Sequence, residues 1–170
     1  MYRCIRRDQP RLKPHELLSL IENYTAKYRG TLNEVMIRRI ISMIYLSLFN
    51  YWAEKIYIRG GRGEDFCQDM FRYSQFHREM ISYGLDHVMF ILYVYRTASD
   101  HYILNPTYIE LKDPNWKGIR ISVEINFNVL LEILKLSREL LKALDEYYDN
   151  DSGGFSIKIC DIELVILLSL

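Results

Sequence analysis

Apolar residues recur at helical spacing along most of the chain, and this spacing predicts five helices. The first helix is predicted to begin at Pro14, because the first turn of a helix tolerates proline, and to end at Gly30. The second covers residues 35 to 57 and is apolar on nearly every face, so we expect it to be a long, central, buried helix. The other three are predicted at about residues 64 to 83, 85 to 102 and 124 to 148.

Local signals mark where these helices begin and end. Thr31 and Glu34 have the spacing of a capping box, which predicts the start of the second helix. The three glycines among residues 60 to 63 cannot continue that helix, because glycine loses the most backbone entropy on ordering. Gly84 occupies a helix-ending position after the third helix, and Pro106 stops the fourth.

The period of the apolar pattern changes from about 3.6 to 2 after residue 106. Residues 107 to 111 and 119 to 123 alternate around the Asp, Pro, Asn and Gly residues of a turn, which predicts a β-hairpin insert at residues 107 to 123. Residues 155 to 170 also alternate and predict a strand-like tail, which pairs with the hairpin or with a second subunit. The predicted fold class is therefore mainly α: an up-and-down bundle of about five helices with a small β-hairpin and a C-terminal strand.

The composition is that of one soluble globular domain spanning residues 1 to 170, with 49% apolar and 26% charged residues. The three cysteines form no C-x-x-C pair, which indicates free thiols in a reducing compartment rather than disulfides or a structural zinc site. The basic start lacks the apolar core of a secretory signal, and no stretch approaches the ~20 apolar residues that cross a bilayer. We therefore expect a cytoplasmic protein without a membrane segment.

The net charge is zero, but the charges are unevenly distributed. Residues 1 to 63 carry twelve Lys and Arg against five Asp and Glu, whereas residues 64 to 170 carry ten against seventeen. The basic part, which includes an N-terminal arm at residues 1 to 13, either binds nucleic-acid phosphates or pairs with the acidic part within the fold or across a dimer. In the first interpretation, the arginines predicted to contact RNA are Arg3, Arg6, Arg7, Arg59 and Arg62.

Common catalytic motifs do not occur in the sequence. It contains no G-x-x-x-x-G-K-[ST] phosphate loop, no H-E-x-x-H and no G-x-S-x-G. None of its four histidines has a Glu three residues before it, as the di-iron sites of helical bundles require. We therefore expect no metal site and no cofactor.

One segment, residues 95 to 102, contains residues suited to metal-free chemistry. Arg96 supplies a fixed positive charge, and His101 supplies a side chain of the type that titrates close to neutral pH. Metal-free RNA cleavage needs these two groups, one to move a proton and one to stabilise charge on the phosphate. On a straight α-helix the two positions diverge by about 140°, so a complete site needs an early helix end before Pro106 or a second copy of the chain.

The arginine, four-residue spacer and histidine on a late helix of a small bundle resemble the HEPN domain, whose family motif is Arg, four to six residues, His. The similarity covers roughly residues 15 to 148. It implies a HEPN-like domain that acts as a dimeric, metal-independent endoribonuclease or toxin. In that case Arg96 and His101 are catalytic, and Asp100 and Tyr102 support them. The resemblance also implies RNA, a second copy of the chain and a nucleotidyltransferase-like antitoxin as partners.

Two functions stay open, because other HEPN domains are non-catalytic. The alternative to an RNA-cleaving protein is an interaction module that self-assembles or pairs with a nucleotidyltransferase-like partner. On that hypothesis Arg96 and Asp100 form only a helix-surface ion pair, and His101 caps the helix end. Arg72 and His77 also satisfy the motif, and we interpret that copy as structural.

Overall fold

The computed structural model describes residues 13–59, 72–101 and 108–149, without the side chains of residues 56–59 and 149. In these residues the chain forms five helices and one two-stranded sheet, which confirms the predicted mainly helical bundle with a small hairpin. The elements in chain order are α1 (Pro14–Lys27), α2 (Glu34–Arg59), α3 (Tyr73–Ser82), α4 (Asp86–His101), β1 (Tyr108–Glu110), β2 (Arg120–Ser122) and α5 (Phe127–Asp149). The predicted C-terminal strand and residues 1 to 12 of the basic arm lie outside the described residues.

Asparagine side chains cap α2 and α5. The capping prediction for α2 is wrong, because Asn33 occupies the cap position and its Oδ1 accepts a hydrogen bond from the backbone N–H of Met36 at 3.0 Å. The hydroxyl of Thr31 instead donates to the backbone carbonyl of Tyr28 at 3.0 Å, just after α1. Asn126 caps α5 through the same type of contact, at 3.1 Å.

The third helix is shorter than the sequence pattern predicts. Arg72 has extended backbone angles (φ −116°, ψ 144°), so a continuous helix over residues 64 to 83 is wrong and α3 begins at Tyr73. Its predicted stop is confirmed, because Gly84 has a φ of 78°, in the left-handed region that favours glycine. The N–H of Gly84 donates to the carbonyl of Ile81 at 3.0 Å and satisfies one of the acceptors that a helix end leaves free.

The hairpin lies where the change of period predicts it. Strands β1 and β2 are antiparallel, with Ile109 opposite Ile121. In the turn, Oδ1 of Asp113 accepts a hydrogen bond from the backbone N–H of Asn115 at 3.0 Å, and Gly118 adopts a φ of 84°. Ile109 is fully buried and β1 contacts α4, so the hairpin packs against the bundle instead of projecting from it.

The second helix is central, as predicted. It packs against α1, α4 and α5, and Ile44 and Leu48 on its inner side are fully buried. The prediction that nearly every face is buried is wrong along one stripe, because Val35, Met43 and Leu46 are exposed. These residues lie within about 80° of one another around α2, and the exposed Arg39 lies among them, so this face exposes three apolar side chains and one basic side chain. None of the helices in the described part of the chain combines the length and the apolar composition of a membrane span.

Candidate functional site

Helix α4, which is described as far as His101, brings Arg96 and His101 together. Nη1 of Arg96 lies 3.4 Å from Nε2 of His101 within one chain. The helix stop predicted at Pro106 lies outside the described residues. The expectation that one straight helix keeps these groups apart is therefore wrong. The angle of about 140° describes where the Cα–Cβ bonds point, whereas the long arginine side chain places its guanidinium far from its own Cα. A second copy of the chain is not needed to pair the two side chains.

The guanidinium of Arg96 is held on several sides. Its Nε lies 2.9 Å from Oδ2 of Asp100, one helical turn away, so the two residues form an ion pair. The guanidinium carbon lies 4.8 Å from the ring centroid of Tyr73 and 5.6 Å from that of Tyr45, both within the range of a cation–π contact. The side chain of Arg96 is 14% exposed, whereas His101 is exposed. The site therefore has a fixed, half-buried cation and a solvent-facing imidazole.

Tyr45 belongs to a buried chain of hydrogen bonds. Its hydroxyl donates to Nε2 of His77, and the Nδ1–H of His77 donates to Oδ2 of Asp113 at 2.8 Å. In the hairpin turn, Asp113 also accepts hydrogen bonds from the backbone and side-chain amides of Asn115. Tyr45 and His77 are 1% and 0% exposed. The chain of hydrogen bonds therefore joins α2, α3 and the hairpin next to the Arg96 guanidinium.

Burial determines the protonation states of the side chains in this chain of hydrogen bonds. It lowers the pKa of His77 below the ordinary value; the carboxylate of Asp113 opposes this change and the charge of Arg96 adds to it. Burial also raises the pKa of Tyr45 well above the ordinary value. A neutral His77 and a protonated Tyr45 fit these hydrogen bonds, because the imidazole then donates through Nδ1 and accepts through Nε2.

The second copy of the Arg-x4-His spacing forms no comparable pair. Arg72 is exposed at the start of α3, and His77 is fully buried. This placement agrees with the structural interpretation of that copy. Tyr45 and Asp113 could not be predicted from the sequence as the partners of His77, because they lie 32 and 36 residues away. The available signal was a histidine beside Phe76 on a buried helix face, where a polar ring must find hydrogen-bond partners.

A second polar cluster joins α1, α2 and α5. Nε2 of His15 lies 2.7 Å from Oδ2 of Asp145, and the hydroxyl of Tyr51 donates to Oδ1 of the same carboxylate at 2.6 Å. Nζ of Lys55 lies 3.7 Å from that Oδ1. Burial, together with the hydrogen bond to Asp145, raises the pKa of Tyr51 to about 12. Because all three side chains converge on one carboxylate, we interpret the cluster as a connection between helices.

The remaining predicted site residues are not described, and their roles stay predictions. Those outside the described residues are Arg3, Arg6, Arg7, Arg62 and Tyr102. Arg59 is the last described residue of α2, but its side chain is also outside the described part. Within the described ranges, no three His, Cys, Asp or Glu side chains are grouped so as to hold a metal ion.

The chain was compared with protein-family models, curated proteins and solved structures, and none of them matches it. The resemblance to HEPN domains therefore depends only on the residues quoted for it. The geometry of Arg96, His101 and the side chains around them is what supports a function.

Proposed function

We propose that the chain is a HEPN-like RNA-binding protein that cleaves RNA without a metal, with Arg96 and His101 as its catalytic residues. The observation that carries this proposal is the contact between the guanidinium and the imidazole on α4. A positive charge and a proton-transfer group are the two components that metal-free cleavage of a phosphodiester needs. Their contact within one chain supports a site that one protomer can complete.

His101 is proposed to move the proton. Its imidazole is exposed, so a ribose 2′-hydroxyl can approach it from solvent. The imidazole takes the 2′-hydroxyl proton while the 2′-oxygen bonds to phosphorus and the bond from phosphorus to the 5′-oxygen breaks. The 5′-oxygen takes a proton from water, and the imidazolium returns its proton to the hydroxide so formed. This leaves a 2′,3′-cyclic phosphate, a 5′-hydroxyl and a neutral imidazole. General base catalysis of this kind contributes about 10²- to 10⁴-fold to the rate.

Arg96 is proposed to stabilise the charge that develops on the phosphate oxygens. Asp100 pairs with its Nε, which leaves the Nη edge beside His101 to donate to a phosphate. The negative charge of Asp100 also repels the phosphate, because this carboxylate lies beside Arg96 and is partly exposed, at 17%. Asp100 therefore orients the guanidinium and also weakens the attraction of the site for RNA.

The test is incubation of the purified protein with mixed RNA in EDTA, scoring cleavage and the chemistry of the new ends. We expect 2′,3′-cyclic phosphate and 5′-hydroxyl ends from the wild type. His101→Ala and Arg96→Ala should each lower the rate by at least about 100-fold. Unchanged cleavage in both variants, or a wild-type protein that neither binds nor cleaves RNA, would contradict the proposal.

Matched controls come from exposed residues of the same types. His87→Ala changes an exposed histidine near the start of α4, and Arg78→Ala changes an exposed arginine on α3. Both variants should cleave normally. His77→Ala is not a usable control despite the shared spacing, because His77 is fully buried and its loss should impair folding. Circular dichroism of each variant separates a lost site from a lost fold.

A non-catalytic interaction module is the second candidate, and one observation favours it. Val35, Met43 and Leu46 expose apolar side chains around the exposed Arg39 on one face of α2, and such exposed apolar side chains suit contact with another protein or with a second copy of the chain. Light scattering of the wild type and of Met43→Glu tests this function. A dimer that Met43→Glu dissociates, in a protein without ribonuclease activity, would favour the interaction module.

A further inference from the structure

We propose that the β-hairpin insert positions the Arg96 guanidinium from a distance. The connection runs from Asp113 in the hairpin turn through His77 to Tyr45, and Tyr73 completes the surface on which the guanidinium lies. Tyr45 and Tyr73 are thus positioning residues, and Asp113 and His77 act through Tyr45. The consequence for RNA rests on the proposed function, whereas the positioning itself rests only on contacts within the chain.

The first step is the aromatic surface under the cation. Arg96 lies 4.8 Å from the Tyr73 centroid and 5.6 Å from the Tyr45 centroid, and the two rings are 5.7 Å apart. Tyr73 is itself packed 4.5 Å from the ring of Phe49. Because the Arg96 side chain is only 14% exposed, water screens these contacts weakly. The two rings and the carboxylate of Asp100 together fix where the guanidinium can lie.

Tyr45 connects Arg96 with His77 through two contacts. Its ring contacts the guanidinium of Arg96, and its hydroxyl donates a hydrogen bond to Nε2 of His77. Tyr45 is 1% exposed, so no water replaces the histidine if the hydroxyl turns away. The orientation of the ring under the cation is therefore tied to the position of the imidazole.

The third step is the closure of the hairpin turn over His77. Oδ2 of Asp113 accepts the Nδ1–H at 2.8 Å, and the ring of Trp116 lies 5.1 Å from the imidazole. Trp116 also stacks on Tyr93 of α4 at 5.4 Å. If the turn moved, a fully buried Nδ1–H would lose its acceptor. The hairpin, the imidazole and the Tyr45 ring should therefore move together.

Nitrogen-edited proton NMR of the full chain, without RNA, reports the position of the guanidinium through the chemical shift of its Nε–H signal. The Nε–H signal of Arg96 is assigned by its loss in Arg96→Lys, and the aromatic rings should shift it away from the signals of exposed arginines such as Arg78. Tyr73→Leu and Asp113→Ala should return it toward those signals. Tyr73→Phe keeps the ring and should leave it in place.

Controls separate positioning from general loss of stability. Arg138→Gln weakens the contacts of Arg138 with Glu22 and Ser19, which join α1 and α5, and should lower stability without moving the Arg96 signal. Asp113→Asn keeps one acceptor oxygen for His77 but loses the second one for Asn115, so it should move the signal less than Asp113→Ala does. If Asp113→Ala does not fold, Tyr45→Phe serves in its place, because it removes only the hydroxyl that holds the ring. An Arg96 signal that stays unchanged in the folded Asp113→Ala or Tyr45→Phe protein overturns the inference.

The RNA assay distinguishes failure of the inference from failure of the proposed function. With both correct, Tyr73→Leu should weaken RNA cleavage roughly 2- to 30-fold, and Tyr73→Phe should not. If the wild type neither binds nor cleaves RNA while the Arg96 signal still responds to Asp113→Ala, the function fails and the positioning stands. If cleavage needs Arg96 but its signal ignores Asp113→Ala, the function stands and the positioning fails.

Discussion

Lowering the pH should destabilise the fold through His77. Burial holds the pKa of this histidine below its ordinary value of 6.5 in the folded chain, whereas the unfolded chain restores about 6.5. Between the two values the unfolded state binds a proton that the folded state does not. The free energy of unfolding should therefore be highest above about pH 6.5 and should fall as the pH decreases below it.

The size of this effect follows from one proton. Each pH unit between the unfolded and folded pKa lowers the free energy of unfolding by up to about 1.4 kcal/mol. His77 is 0% exposed, and the charge of Arg96 also opposes a protonated imidazole; only Asp113 favours it. We expect a loss of up to about 1.4 kcal/mol by pH 5.5, which is a large fraction of the 5 to 15 kcal/mol typical of a folded protein.

Urea unfolding at pH 7.5, 6.5 and 5.5 measures this dependence. His77→Gln supplies a donor and an acceptor but does not titrate, so the difference between its pH slope and that of the wild type isolates His77. The wild type should have the steeper slope, and His87→Gln, which changes an exposed histidine, should keep the wild-type slope. Equal slopes for the wild type and His77→Gln, or a wild type that gains stability as the pH falls, would refute this reasoning.

Three further predictions concern a turn, the site charge and the assembly. Gly84→Ala should lower the free energy of unfolding in urea by about 1 to 2 kcal/mol, because a φ of 78° is strained for alanine. Gly30→Ala should not lower it, because Gly30 has an ordinary φ and an added Cβ meets open space there. Asp100→Asn frees the charge of Arg96 and should tighten RNA binding about 1.5- to 5-fold in a low-salt titration; weaker binding would contradict this. Light scattering at micromolar concentration should give a dimer. Because Arg96 and His101 pair within one chain, this prediction depends only on the apolar tail at residues 155 to 170, and a monomer would contradict it.

The helices and the hairpin could be predicted because neighbouring residues determine them. Gly84 stops α3 through its own backbone angles, and Asp113 begins the hairpin turn through a contact two residues away. The errors occur where two local signals compete. Thr31 and Asn33 are both capping residues, and the choice between them depends on how the chain leaves α1. The start of α3 at Tyr73 could not be predicted, because the pattern of apolar residues contains no sign of the extended backbone at Arg72.

Only the local part of the candidate site could be predicted. The pairing of Arg96 with Asp100 follows from a separation of four residues on one helix. The contacts of Arg96 with Tyr45 and Tyr73 need three helices to be placed first, and no spacing in the sequence contains that information. Tertiary packing therefore supplies most of what holds the guanidinium.

The two copies of the Arg-x4-His spacing show what turns a motif into a candidate site. In the Arg72 copy, Arg72 precedes α3 with extended backbone angles, and His77 lies on the buried face of that helix. In the Arg96 copy, both residues belong to α4, and the imidazole of His101 is exposed beside the guanidinium of Arg96. The spacing is the same, but the position of the arginine relative to the helix and the burial of the histidine differ. A search for this motif should therefore require both residues on one helix and an exposed histidine, because that arrangement lets one chain pair the two groups beside solvent.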